Sequence, residues 1–156
     1  MIAILLILAQ FTTLRDAAHI AIVADSLGVR RDVAEAVAWM ETRDGSRWRA
    51  LGPGVIDSTW LNDGTLRVRR VCREVGRYQL RSCVNWVKLL GDSTCTYTRL
   101  RNEYAVGVHC GIANLARLYR RYGNWVDAIK RHNGDGPLAD KYVEKALAYI
   151  GWRRLQ

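Results

Sequence analysis

The chain has 156 residues, 49% of them apolar, and carries 24 Lys and Arg against 15 Asp and Glu, for a formal charge of +9. This length and mixture describe one folded domain with a single core and argue against a disordered tail. The charge attracts polyanions (nucleic acid, anionic lipid or acidic wall polymers), but arginines scattered over residues 30–156, with no zinc-finger, basic-zipper or RNA-binding signature, argue against a nucleic-acid reader.

The first segment, MIAILLILAQF, has an apolar run from Ile2 to Ala9 that is too short to span a bilayer. It has the core of an export signal but neither a preceding positive charge nor a clear cleavage site, so a signal-like segment and a first packed element both stand for residues 1–13. Residues 14–156 are read as the functional domain. Leu14 to Leu27 patterns as a helix stopped by Gly28. Asp32 then caps or opens a second helix, in which Val33, Ala34, Val37, Ala38 and Glu41 share one face. Asp44-Gly45 should end it just after Glu41.

Residues 45–75 change character, with Gly45, Gly52, Pro53, Gly54 and Gly64 as punctuation. A small β-hairpin is expected there, turning at Asn62-Asp63-Gly64 and continuing through Thr65 to Cys72. Helical patterns resume at Ser82–Leu90, Asn102–Tyr122, Trp125–His132 and Leu138–Ile150. The fold class is therefore α+β, mainly helical, with a small extended region.

Cys72, Cys83, Cys95 and Cys110 are separated by ten, eleven and fourteen residues, without a C-x-x-C pair that would favour structural zinc. Two disulfides in an oxidising compartment and four buried thiols are the competing readings.

Glu41 is the most informative carboxylate. At the end of a helix, on its apolar face, it is pushed toward the protonated form by partial burial and by the negative end of the helix dipole. A carboxyl group that stays protonated near neutral pH can donate to a glycosidic oxygen. The plain alternative is a solvated Glu in a fraying last turn. Downstream, and in this order, come Gly76-Arg77-Tyr78-Gln79-Leu80, Asn102-Glu103-Tyr104-Ala105-Val106-Gly107, Tyr122-Gly123, Ala128, His132-Asn133-Gly134, Gly136 and Tyr142.

Together these pieces resemble the soluble lytic transglycosylase family of the lysozyme-like superfamily, over residues from about Ile20 to Ile150. The resemblance implies a lysozyme-like fold and a cleft that holds peptidoglycan glycan strands, with Glu41 as catalytic acid. It also implies substrate-binding roles for Thr42, Gly76, Tyr78, Gln79, His132, Asn133 and Tyr142. His132 and Tyr142 would crowd the carboxyl and keep it dry. Thr42 replaces the family's Ser, Tyr78 its Met and His132 its Tyr, and the stretch between Glu41 and Gly76 is long for the family. That stretch holds Trp48 and Trp60, which with Tyr78 are the aromatics expected to stack on sugar rings. Trp39, Trp86 and Trp125, and likewise Tyr104, Tyr119 and Tyr122, are expected to pack within the domain.

The reaction implied is cleavage between N-acetylmuramic acid and N-acetylglucosamine with formation of a 1,6-anhydro sugar. A hydrolytic lysozyme of goose-type character is the alternative, with Asp57, Asp63 or Glu74 as its second carboxylate. A wall-binding or virion module without activity is the third reading. No metal or cofactor is implied, and a monomer without a stable membrane span is expected. The site of action would be the periplasm or cell wall, or a phage particle, toward which Tyr78 and the compact domain lean.

Overall fold

A computed structural model describes residues 15–42, 55–60 and 66–153, with the strands at 55–60 and 66–72 described by their backbone. The N-terminal apolar segment, Trp48, Asp63 and the expected turn at 62–64 lie outside the described residues.

The chain is helical over 15–26 (α1). The helix α2, Arg31–Thr42, has Asp32 in its first turn, where Oδ1 accepts a hydrogen bond from the Val33 N–H at 2.9 Å and a negative charge favours the helix dipole. Its buried residues Val33, Ala34, Val37 and Ala38 form the expected stripe. Two strands follow, β1 (Val55–Trp60) and β2 (Leu66–Cys72), paired antiparallel with a register shift between Asp57 and Ser58. Arg70 stands opposite Asp57 and Val68 opposite Ser58, so Arg69 is the extra residue of a bulge. Asp57 and Trp60 belong to β1.

A second, very short hairpin joins β3 (Glu74–Val75) to β4 (Leu80–Arg81), with Glu74 opposite Arg81 and Val75 opposite Leu80. Its four-residue loop, 76–79, is the G-R-Y-Q segment. The helix expected from Ser82 is shortened to α3, Trp86–Leu90. Ser82 instead donates its N–H to Arg73 O at 2.7 Å, which continues the hairpin, and Asn85 caps the helix by accepting from the Lys88 N–H at 3.0 Å.

The long helical pattern around residue 102 divides into α4 (Tyr97–Asn102) and α5 (Tyr104–Tyr122). Glu103 separates them, with extended backbone at φ −117° and ψ 109°. Two further helices, α6 (Trp125–Asn133) and α7 (Pro137–Arg153), complete the described chain. The architecture is α+β and mainly helical.

The helix α5 is the central post, burying Val108, Cys110, Ile112 and Leu115. Around it, α6 packs on α5, and α7 packs on both α2 and α6. Cys95 and Cys110 form a disulfide that ties the segment before α4 to α5. Cys83 is disulfide-bonded as well, so the free-thiol reading does not hold for the described cysteines. Among the described residues, no helix is long and apolar enough to cross a membrane.

Candidate active site

The site is built where the end of α2 meets the 76–79 loop, with α6 and α7 closing over it. The loop lies hard against α5. A Cβ on Gly76 would come 3.0 Å from Leu100 O, and one on Gly107 would come 3.2 Å from Arg77 N. One on Gly111 would overlap the Tyr78 ring at 2.2 Å from Cγ. Side chains at 107 and 111, one helical turn apart on α5, would therefore push the loop off the helix. Gly76 also has φ +79°, a conformation that glycine adopts freely.

Arg77 fastens this loop to the helix that carries Glu41. Its side chain is 2% exposed and pairs with Asp16 of α1, Nη2 to Oδ2 at 2.9 Å. It also donates to Ala38 O and Thr42 Oγ1, and Thr42 returns a hydrogen bond to Arg77 O at 3.0 Å. The Ala38 bond brings a charged donor to a carbonyl near the C-terminal end of α2, which places a cation at the negative end of the helix dipole.

Glu41 sits one residue before the end of α2, its side chain 13% exposed. Tyr142 of α7 donates its hydroxyl to Glu41 Oε1 at 2.7 Å. His132 Nε2 lies 3.9 Å from the same oxygen. The Glu41 pKa is raised from 4.5 to about 7: burial is the largest cause and Glu74 adds to it, whereas the Tyr142 hydrogen bond and Arg77 pull the other way. Near neutral pH the carboxyl therefore holds its proton for a large part of the time. Burial pushes His132 the other way, from 6.5 to about 4, so the ring beside Glu41 is neutral.

Glu41 opens onto a cleft of about 220 Å³ whose lining includes Glu74, Gln79, Arg81, Trp86, Arg117, Arg131, His132 and Asn133. Gln79 has φ +46°, the only described non-glycine residue with positive φ. Its Nε2 donates to Gly76 O at 2.8 Å, so the loop's own hydrogen bonds support that costly backbone at the cleft wall.

Of the residues singled out from sequence, the structure brings Glu41, Gln79, His132, Asn133 and Tyr142 together at or beside the cleft. Three are placed differently. Tyr78 is fully buried and donates its hydroxyl to Ala34 O at 2.9 Å. It is a core residue with no face for a sugar, because its ring fills the space left by Gly111. Thr42 is buried against Arg77, and Gly76 is buried against Leu100 and Gly107. Neither is among the residues that line the cleft.

Glu74 is half-buried in the same cleft as Glu41. Burial raises its pKa, and Arg81, its cross-strand neighbour, lowers it. Trp86 is mostly buried, yet part of it lines the cleft, with Nε1 donating to Arg81 O at 2.8 Å. Trp39 stacks on Tyr149 with centroids 5.7 Å apart, and Trp125 on Tyr119 at 4.1 Å.

The sequence reading missed Arg77, Asn114 and Arg117. For Asn114 there is a signal: it follows Gly107 and Gly111 at helical spacing, a polar residue on the buried face of α5. Among the described residues, no three His, Cys, Asp or Glu side chains gather to hold a metal ion. Comparison of the chain with protein-family models, with curated proteins and with solved structures finds no match in any of the three.

Proposed function

We propose that the chain is a peptidoglycan lytic transglycosylase that uses Glu41 as its single acid and base. The observation that carries this reading is the buried Glu41 carboxyl at the cleft wall, with its pKa raised to about 7 and Tyr142 gripping one oxygen. A group with that affinity is poised to give up a proton and take one back at neutral pH.

In the first step the carboxyl proton passes to the glycosidic oxygen between N-acetylmuramic acid and N-acetylglucosamine as the bond from the anomeric carbon to that oxygen breaks. Glu41 is left as the carboxylate, held by the Tyr142 hydroxyl. It then takes the proton of the muramic six-hydroxyl as that oxygen bonds to the anomeric carbon. The 1,6-anhydro sugar leaves, Glu41 regains its proton, and no water is consumed. Gln79, Arg81, Arg131 and Asn133 line the cleft and offer hydrogen bonds to sugar hydroxyls, amides and carboxylates.

One observation favours a second reading. Glu74 lies in the same cleft, so a hydrolase with Glu74 assisting a water has the two carboxyl groups it needs.

The test is Glu41→Gln assayed on purified cell walls, with mass spectrometry of the wild-type digest. Losing general acid catalysis should lower turnover by about 10²–10⁴-fold. Anhydro-muropeptides as products support the transglycosylase. Reducing-end products move the assignment to hydrolysis and to Glu74, and an active Glu41→Gln enzyme overturns both readings.

A further inference from the structure

Two polar residues of α5, Asn114 and Arg117, have no part in the chemistry above, yet they form an ordered chain that ends at Glu41. Arg117 donates to Asn114 Oδ1 from Nε at 3.2 Å and from Nη2 at 2.9 Å. A guanidinium can only donate, so it fixes the oxygen end of the amide toward itself and turns the NH₂ end toward His132. Asn114 Nδ2 lies 3.3 Å from His132 Nδ1. An amide NH₂ also only donates, so Nδ1 carries no hydrogen. On the opposite side of the ring, Nε2 faces Tyr78 O at 3.3 Å. A carbonyl only accepts, so Nε2 carries the hydrogen. Both sides of the ring thus select the same neutral tautomer. A second proton on Nδ1 would point at the amide hydrogens, in a side chain that is 3% exposed.

That choice of tautomer bears on Glu41, because Nε2 is 3.9 Å from Oε1. A charged ring at that distance would hold the carboxyl as its anion. We infer that Asn114, oriented by Arg117, is a positioning residue that keeps His132 uncharged beside Glu41 and so sets how readily the proposed catalytic acid holds its proton. Asn114 is 4% exposed and touches neither Glu41 nor any described carboxylate oxygen within hydrogen-bond distance. Its effect passes through the ring.

The other groups facing Glu41 are Tyr142 from α7, Glu74 from β3 and Arg77 from the loop. The ring is faced by Asn114, by the Tyr78 carbonyl, by the edge-on Tyr78 ring and by Glu41. Arg117 itself is pushed down by burial and by its neighbours Arg121 and Arg120. The low proton affinity of the His132 ring agrees with the hydrogen-bond pattern.

The inference rests on Glu41 as the acid, and its test has a readout that does not need activity. Histidine ring ¹⁵N shifts of the full chain are followed against pH in wild type, Asn114→Asp, Arg117→Met and Arg117→Lys, with His132 assigned against His19 and His109. In Asn114→Asp, a near-isosteric carboxylate replaces the donor facing Nδ1. His132 should then bind a proton about a hundredfold or more tightly, and the ring charged beside Glu41 should move the alkaline limb of kcat/KM to lower pH. Arg117→Met frees the amide to turn over, so the Nδ1–H tautomer should become detectable. Arg117→Lys keeps a donor and should preserve the wild-type shifts and profile.

Unchanged His132 shifts in both Asn114→Asp and Arg117→Met would overturn the inference. So would a charged His132 that leaves the alkaline limb in place. If Glu41→Gln proves active, the proposed function fails, and the ring shifts still decide whether Asn114 governs the tautomer.

Discussion

Glu41→Gln should also change stability, in a way that only a buried, proton-holding carboxyl predicts. The pKa of Glu41 is about 7 in the folded chain against 4.5 for the ordinary side chain. Between those values the folded state binds a proton that the unfolded state has released, so wild-type stability falls as pH rises. Each unit of separation is about 1.4 kcal/mol, and the 2.5 units here give about 3 kcal/mol in all. Gln keeps the side chain's shape and can still accept from Tyr142, but it has no such slope.

The variant should match wild type near pH 4, exceed it by about 1.4 kcal/mol at pH 5.5, and exceed it by about 3 kcal/mol at pH 8. Urea unfolding followed by tryptophan fluorescence at these three pH values measures the difference. His132 has the opposite slope, since its depressed pKa makes folding less favourable as pH falls from 6.5 toward 4. In wild type the two slopes largely cancel, and the variant difference separates them because His132 is common to both proteins. A difference that is flat with pH, or that grows toward acid, would refute the buried protonated Glu41.

Tyr142→Phe removes the hydrogen bond that lowers the Glu41 pKa, so the alkaline limb of the pH–rate profile should move upward; a limb that stays or falls would contradict the contact. Gly111→Ala would ordinarily favour a helix, but the added Cβ meets the buried Tyr78 ring. A loss of about 1–3 kcal/mol in denaturant unfolding is expected, and a gain would show that the ring does not fill that space. Replacing both Cys95 and Cys110 by Ala opens a loop with a sequence separation of 15. That should cost about 3 kcal/mol, and an unchanged midpoint without reductant would argue against the pairing.

The local pattern of the chain already contained much of the fold. The apolar stripe of α2 placed Glu41 at a helix end on the buried face, because a period of 3.6 can be read without knowing the partner. The ends of α5 and α6 were equally legible, since the helical patterns expected to stop at Tyr122 and His132 stop at Tyr122 and Asn133. The antiparallel pairing of β1 with β2 matches the small extended region expected there. The β3–β4 hairpin did not, since two-residue strands have no period to read, and its extension through Ser82 took residues from the expected start of α3.

Side-chain environment was decided by tertiary packing alone. Tyr78 and Gln79 are neighbours in one loop, yet the gap at Gly111 draws the Tyr78 ring into the core and leaves Gln79 at the cleft. Arg77 reads as one surface cation among many until α1, α2 and the loop converge to bury it. The Glu41 pKa depends on Tyr142, which is 101 residues away, and on how much water α6 and α7 exclude. The proposed tautomer of His132 depends on Asn114, eighteen residues away on another helix. Sequence periodicity fixes which face a residue occupies, because that is set by its own backbone. What the face meets is set by distant segments, and charge, protonation and exposure follow from that meeting.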